Sequence, residues 1–523
     1  MENSEKVMSL IDKGKKGLFN LIFSRLGLIV LLLLIKIWFV VSLLLDFKEY
    51  SPYYFTVNAA LSIGISFFII NSKDIDPTSK ITWLVMISAM PMFASLFFCY
   101  TRIDLGFRAL KFQFEKNIRD TASAIEQDSD TMAVLEKENK SISLLAKYIR
   151  RSGHHPVYSN CDVKYFPSGE EKFAQMLTEL EKAEKFIMLE YFIIDEGYMW
   201  GRILDTLARK VTEGVDVMVM YDGSNEFTTL PRDYSKRLQK LGIKCKVFAP
   251  ATPFVSTHYN YRDHRKILII DNKTAFTGGV NLADEYINRY KKYGHWKDTA
   301  VMIKGRAVES FTLMFLQMWN ISGVKADAEK YLSLPRESYS ENGYIIPYGD
   351  SPLDSDKLGR QVYTDIINHA ENYVYIMTPY LILDGEMETA LKFAAEKGVD
   401  VRIILPGIPD KKTPYALAKA HYSSLLESGV KIYEYTPGFV HAKVFVSDDT
   451  TATVGTINLD YRSLYHHFEC AVFMYKTDCI PQIIKDFINT QSKCSPVTKS
   501  TVRKIPLKTK ILGHIFKIIA PLM

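Results

Sequence analysis

The sequence predicts an α/β protein. Two pseudo-symmetric halves carry mainly parallel β-sheets covered by helices, and an N-terminal transmembrane helical segment precedes them. Three observations lead there. An eighteen-residue motif, His264 to Asn281, recurs at His441 to Asn458, an offset of 177. Short apolar runs such as VDVMVMYD alternate with helical patterns, as strands buried on both faces and their covering helices do. Three long apolar runs fall within the first hundred residues.

Composition sets outer limits. At 523 residues, 47% hydrophobic and 24% charged, the chain is too long for one core and too apolar for disorder. Its six cysteines form no CxxC pair, which argues against a disulfide scaffold or a cysteine-rich zinc site and favours a reducing compartment. A net charge of +6 permits contact with anionic lipid or nucleic acid but requires neither.

Residues 1–101 read as a membrane anchor of two or three transmembrane helices, at about 26–45, 53–70 and 81–100. The first run contains one charge, Lys36, and twenty helical residues cover about 30 Å, the hydrocarbon thickness. It is too long for a signal-peptide core and lacks a small-residue cleavage site. Pro91 falls near the middle of the third run, where a membrane helix can tolerate it. Basic residues flank both sides almost equally, so they set neither the orientation nor the number of crossings. Residues 102–156 are charged and periodic and read as a helical linker. The first half follows over 157–335, with its motif at 258–285. The second covers 336–495, with its motif at 435–462. A basic amphipathic tail, 496–523, closes the chain. Leu507, Ile511, Ile515 and Ile518/Ile519 share one helical face, with Lys508, Lys510 and Lys517 off it; an anionic bilayer and the protein's own core fit this face equally.

The repeat carries the chemistry. His264, Lys266, Asp271, Gly278 and Asn281 match His441, Lys443, Asp448, Gly455 and Asn458. IMLEYFIID pairs with IMTPYLILD, EGVDVMVM with KGVDVRII, and DTAV at Asp298 with ECAV at Glu469. Each half therefore reads strand, helix, strand, helix, strand, motif strand, turn, strand, and one site at a pseudo-twofold interface follows.

On a strand, His264 and Lys266 point to one face, as do His441 and Lys443. Two ammonium groups, with Asn281 and Asn458 as neutral donors at the edge, make a receptor for a phosphoryl group. One imidazole can attack phosphorus while the other protonates the leaving oxygen. The attacking ring must be neutral and held in one tautomer, and a carboxylate on its far nitrogen does this. Asp298 and Glu469 begin equivalent strands and are the candidates. Asp271 and Asp448 either orient catalytic groups or fix strand ends, the latter being favoured. No magnesium- or zinc-binding pattern lies nearby, so the lysines are expected to replace a metal, and no cofactor is expected. The doublets His154/His155 and His466/His467 have no repeat partner and receive no role.

The paired HxKx4D motifs resemble those of the phospholipase D superfamily. YNYRDHRKILIID, TGGVNLADEY and GTINLDYRSLYHHFEC are closer still to the bacterial cardiolipin synthases, a resemblance running from about Asn71 to the C-terminus. It implies transfer of a phosphatidyl group from one phosphatidylglycerol to another, giving cardiolipin and glycerol. His264 would be the nucleophile and His441 the general acid and base. It also implies a bacterial plasma-membrane location and anionic lipids as partners; the apolar runs predict a multi-pass anchor, and with the unpaired cysteines of the soluble region they predict a cytoplasmic catalytic part. The residues alone leave open a phospholipase D that uses water and a non-enzymatic membrane scaffold. A nuclease is disfavoured, since no basic stretch with interleaved aromatics appears, and no nucleic-acid partner is expected.

Overall fold

The computed structural model describes residues 41–42, 48–73, 75–103, 105–250, 261–334, 339, 342–354 and 356–522. The first half contains β1 (Asp162–Phe166), β2 (Phe186–Tyr191), β3 (Asp216–Asp222), β4 (Lys244–Phe248), β5 (Arg262–Asp263), β6 (Lys266–Ile270), β7 (Thr274–Gly278), β8 (His295–Lys297) and β9 (Ala300–Lys304). The second contains β10 (Tyr344–Asp350), β11 (Tyr373–Met377), β12 (Asp400–Pro406), β13 (Lys431–Tyr435), β14 (Gly438–Val440), β15 (Val444–Ser447), β16 (Thr451–Gly455), β17 (His467–Tyr475) and β18 (Cys494–Pro496).

One sheet runs β1-β9-β7-β6-β2-β3-β4 and the other β10-β17-β16-β15-β11-β12-β13-β18. The sheets are mixed, which corrects the expectation of mainly parallel ones. Among the described residues, β2–β3 and β3–β4 are the parallel pairs of the first sheet, and β11–β12 and β12–β13 those of the second; the other pairs along each sheet are antiparallel. The cause is local. Each motif strand ends in a tight turn, at Asp271-Asn272 and at Asp448-Asp449, all four residues having positive φ. A tight turn returns the chain antiparallel, whereas parallel pairs need the helical crossovers found between β2, β3 and β4.

The two sheets face each other across one shared core. Ile267 and Ile269 of β6 enter it, with Val444 and Val446 of β15, while Leu268, Ile270 and Phe445 turn outward to the covering helices. Burial on both faces explains why these strands read as unbroken apolar runs. The 102–156 segment forms helices Leu105–Thr121, Ser129–Glu138 and Lys140–Gly153, and these dock on the body rather than hang free. Phe114 sits in the shared core with its ring 5.1 Å from that of Phe468, and Asn117 Nδ2 donates to Gln317 O at 3.0 Å.

Of the predicted spans, 26–45 lies outside the described residues except for 41 and 42. Helix Ser51–Asn71 covers the second, and among the described residues it alone is long and apolar enough to cross a membrane, with 6% of its apolar window buried. The 81–100 run does not form one helix. It breaks at Met90, before Pro91, into helices Pro77–Ala89 and Pro91–Ile103. The Trp83 ring lies 5.1 Å from that of Phe98 and 5.8 Å from that of Phe97. Fifteen residues of straight helix would separate Trp83 and Phe98 by roughly 22 Å, so the chain doubles back as a hairpin. Proline cannot donate the ladder hydrogen bond and disfavours helical backbone in the residue before it. The third predicted span is corrected accordingly.

Terminal helix Leu507–Ile519 packs along helix Lys412–Glu427. A Cβ on Gly513 would stand 2.4 Å from Ala416 O, so only glycine allows this approach. Thr82 Oγ1 donates to Ile518 O at 2.6 Å and ties the hairpin to this helix. Leu507, Ile511, Ile515 and Ile518 remain exposed, so the predicted apolar face points away from the body.

Candidate active site

His264 and His441 occupy equivalent gaps, between β5 and β6 and between β14 and β15. The short strand before each histidine pairs with the opposite half: β5 runs parallel to β17, and β14 to β8. The His264 backbone N–H donates to Phe468 O at 2.9 Å, and that of His441 to Lys297 O at 2.7 Å. In each case the next residue of the opposite half is a carboxylate.

Those carboxylates are exchanged. Glu469 of the second half lies 2.9 Å from His264 Nδ1 of the first. Asp298 of the first half lies 2.7 Å from His441 Nδ1 of the second. Both carboxylates are fully buried, and the imidazoles are nearly so. With Nδ1–H donating to a carboxylate, each ring presents an unprotonated Nε2. Lys266 and Lys443 are also buried, and their ammonium groups donate to the carbonyls of His264 and His441.

Electrostatics keeps the rings neutral. Burial, then Lys266 and Lys443, hold His264 well below the usual histidine range, and His441 and Lys411 add to this. Burial and Lys443 lower His441 to about 4, against the opposing pull of Asp298. Burial lowers Lys266 to about 8 and Lys443 to about 7. Burial alone would raise Asp298, but His441 and Lys443 outweigh it and hold its carboxyl below the usual range.

The other predicted residues divide. Asp271 accepts backbone hydrogen bonds from Glu184, Lys185 and Phe186 at 2.7–2.8 Å, and Asp448 from Glu371, Asn372 and Tyr373 at 2.8–2.9 Å. Both stand at the far end of the motif strand, roughly 16 Å along it from the lysine. Of the two roles the sequence left open, these contacts match the favoured one: they fix the start of β2 and of β11. Asn281 Oδ1 accepts from Ile193 N at 3.1 Å and its Nδ2 donates to Tyr286 Oη at 2.8 Å, so it braces the loop after β2. Asn458 is buried with its Oδ1 unpartnered.

Several neighbours escaped the sequence reading. Thr456 donates its hydroxyl to Glu469. Its repeat mate is Gly279, a mismatch visible in TGGVN against VGTIN. A Cβ on Gly279 would lie 2.0 Å from Asp298 Oδ1, so the shorter carboxylate fills the space a side chain would need. His467 places its ring 5.2 Å from that of His264, and Trp296 places its ring 5.3 Å from that of His441. Each stands two residues before its carboxylate, so carrying the DTAV/ECAV match two residues back would have paired them.

The family described as cardiolipin synthase, PLD-like domain, matches residues 176–319 and 363–490. The chain is 57% identical over 461 residues to an uncharacterised protein of Streptococcus mutans, covering 88% of this chain and all of that one. It is 32% identical to a cardiolipin synthase of a Geobacillus species, covering 87% and 91%, and 32% identical to cardiolipin synthase 2 of Bacillus anthracis, covering 90% and 91%. The solved structure of phosphatidylserine synthase from Haemophilus influenzae shares the fold, with TM-score 0.55 at 15% identity over 74% of this chain and all of that one. Two halves closed around paired imidazoles and ammonium groups are thus the architecture of a phospholipase D-like enzyme acting on phospholipid phosphodiester groups. Within that class, the chain belongs to the cardiolipin synthase family.

Proposed function

We propose that the protein transfers a phosphatidyl group from one phosphatidylglycerol to a hydroxyl of a second, releasing glycerol and forming cardiolipin. The observation that carries the reading is the exchanged pair of carboxylate–imidazole contacts, at 2.9 and 2.7 Å. It leaves two neutral Nε2 atoms beside two buried ammonium groups, and the fold makes neither half sufficient alone.

His264 Nε2 attacks phosphorus, the bond from phosphorus to the glycerol oxygen breaks, and His441 gives that oxygen its proton. The second phosphatidylglycerol hydroxyl then loses its proton to His441 and attacks phosphorus, and the bond to His264 breaks. Lys266 and Lys443 hold the negative charge that grows on the phosphoryl oxygens in both steps. The assignment of roles is the one the family resemblance implies, since each imidazole faces both lysines and binds a buried carboxylate of the other half. An anionic phosphate between the lysines offsets the repulsion that keeps His441 neutral in the empty site.

At the membrane, helix Ser51–Asn71 serves as the anchor of the bacterial plasma-membrane enzyme. The Trp83–Phe98 hairpin and the exposed face of Leu507–Ile519 rest in one leaflet, and the catalytic body lies in the cytoplasm. The apolar surfaces of all three support this placement, and the Thr82–Ile518 hydrogen bond joins the hairpin to the terminal helix. Purified protein incubated with phosphatidylglycerol in micelles, with products read by mass spectrometry, tests the activity. Cardiolipin and glycerol in equal amounts are expected; phosphatidic acid as the main product would make it a hydrolase instead.

A further inference from the structure

We infer that His264, His467 and Glu469 form an inhibitory binding site for a divalent transition metal, with Zn2+ as the natural probe. Their ligand atoms lie within 4.8 Å of one another and all three residues are buried. Two imidazoles and a carboxylate are a donor set that zinc accepts with a fourth position open. Glu469 stands 2.9 Å from His264 Nδ1 and 3.6 Å from His467 Nδ1. Ligand atoms bound tetrahedrally at about 2.0–2.1 Å from zinc are roughly 3.3 Å apart, so a set now within 4.8 Å closes with shifts of at most about 1.5 Å.

An independent observation singles out His467. It is 7% exposed, and neither ring nitrogen has a hydrogen-bond partner. Its 3.6 Å approach to Glu469 is beyond hydrogen-bond reach. A buried imidazole left unsatisfied is costly, and the cost is accounted for when the ring is a ligand. Among the described residues the opposite half has no such set: Trp296 takes the equivalent place, its Nε1 donates to Asp298 at 3.4 Å, and an indole does not ligate.

Inhibition follows from the tautomer. A metal on His264 Nδ1 displaces the proton that Nδ1 donates to Glu469. The neutral ring then holds its one proton on Nε2, and the lone pair needed to attack phosphorus is lost. Lys266 and Lys443 oppose a bound cation, and an anion in the open position offsets them. The inhibitory consequence rests on His264 being the nucleophile; the binding itself does not.

The test uses the full-length protein in micelles, stripped with EDTA and dialysed. Co2+ titration is expected to give the visible absorption of a tetrahedral nitrogen–oxygen site, abolished in His467→Asn. Micromolar Zn2+ should lower wild-type activity about 10-fold or more, reversibly with EDTA, and should leave the plus-zinc to minus-zinc ratio of His467→Asn near one. Absence of the cobalt spectrum, or an identical metal response in His467→Asn, would overturn the site. A His467-dependent spectrum without inhibition would keep the ligand set but overturn its inhibitory effect and His264 as the attacking residue.

Discussion

The surroundings of His264 and of His441 are built on one plan and finished differently. Both imidazoles hang between a short exchanged strand and a motif strand, and both bind a carboxylate of the other half. Around His264 the carboxylate is a glutamate braced by Thr456, and the neighbouring rings are Phe192 and His467. Around His441 the carboxylate is an aspartate pressed against Gly279, and the neighbours are Trp296, Tyr286 and Phe439. Duplication supplies the constellation; divergence of what touches it lets two identical motifs take different steps. The lysines and the carboxylates are common to both imidazoles, so the division rests on the neighbours that differ.

Removing the imidazoles should have the largest effect. His264→Ala and His441→Ala are each expected to lower turnover about 10^4-fold or more, because nucleophile and acid act as a unit. A substrate whose leaving group needs no proton separates them. His441→Ala should then form and accumulate a phosphatidyl-enzyme, and His264→Ala should form none. Peptide mapping that placed the adduct on His441 would reverse the comparison.

Next come the exchanged carboxylates. Glu469→Gln and Asp298→Asn keep shape but can turn the imidazole into the wrong tautomer, and a loss of about 10^2- to 10^4-fold in kcat is expected for each. Gly279→Ala should approach Asp298→Asn in severity, because its Cβ would displace the Asp298 carboxylate. Thr456→Ala removes one hydrogen bond and should cost about 10-fold. Equal effects of the Gly279 and Thr456 changes would show that the two carboxylates are not held by different means.

The pH profile sharpens the same contrast. Only protonated lysine attracts phosphate, so kcat/KM should decline as pH rises through the values of Lys443, about 7, and Lys266, about 8. Burial is the main cause of both, and the sign is a loss on the alkaline side. On the acid side, activity should fall only at low pH, where His264, held well below the usual histidine range by burial and the two lysines, takes a proton on its attacking nitrogen. Bound phosphate stabilises both ammonium groups, so the alkaline limb of kcat should lie above that of kcat/KM. Lys443→Arg should move the kcat/KM limb upward; an unmoved limb would assign it to another group.

The sequence disclosed the paired His and Lys residues because a repeat marks them twice. It disclosed Asp298 and Glu469 as orienting candidates, but not that each serves the other half. That pairing joins residues 143 and 205 apart in the chain, which no local spacing encodes. Apolar runs reported burial on both strand faces and said nothing of strand direction, so the mixed sheets stayed hidden. The left-handed turns after each motif strand were the missing signal. Pro91 was visible, but hydropathy cannot distinguish a kinked span from a hairpin; the contact between Trp83 and Phe98 does.

The smallest effect on chemistry belongs to Asp271 and Asp448, which the motif places beside the histidines in sequence and the fold places at the far end of the strand. Each collects three backbone N–H groups where a central strand begins, so losing either leaves donors without an acceptor. Asp271 is 4% exposed and its three hydrogen bonds are part-buried or buried, whereas Asp448 is half-buried and its bonds to Glu371 and Asn372 are exposed to water. Asp271→Ala should therefore destabilise the protein by about 1–3 kcal/mol, and Asp448→Ala by less. Denaturant midpoints measure this directly. The turnover of the folded fraction should change by no more than a few-fold in either variant. A large fall in kcat at unchanged stability would return these aspartates to the catalytic machinery. A greater loss of stability for Asp448 than for Asp271 would show that water access does not set the difference between the two turns.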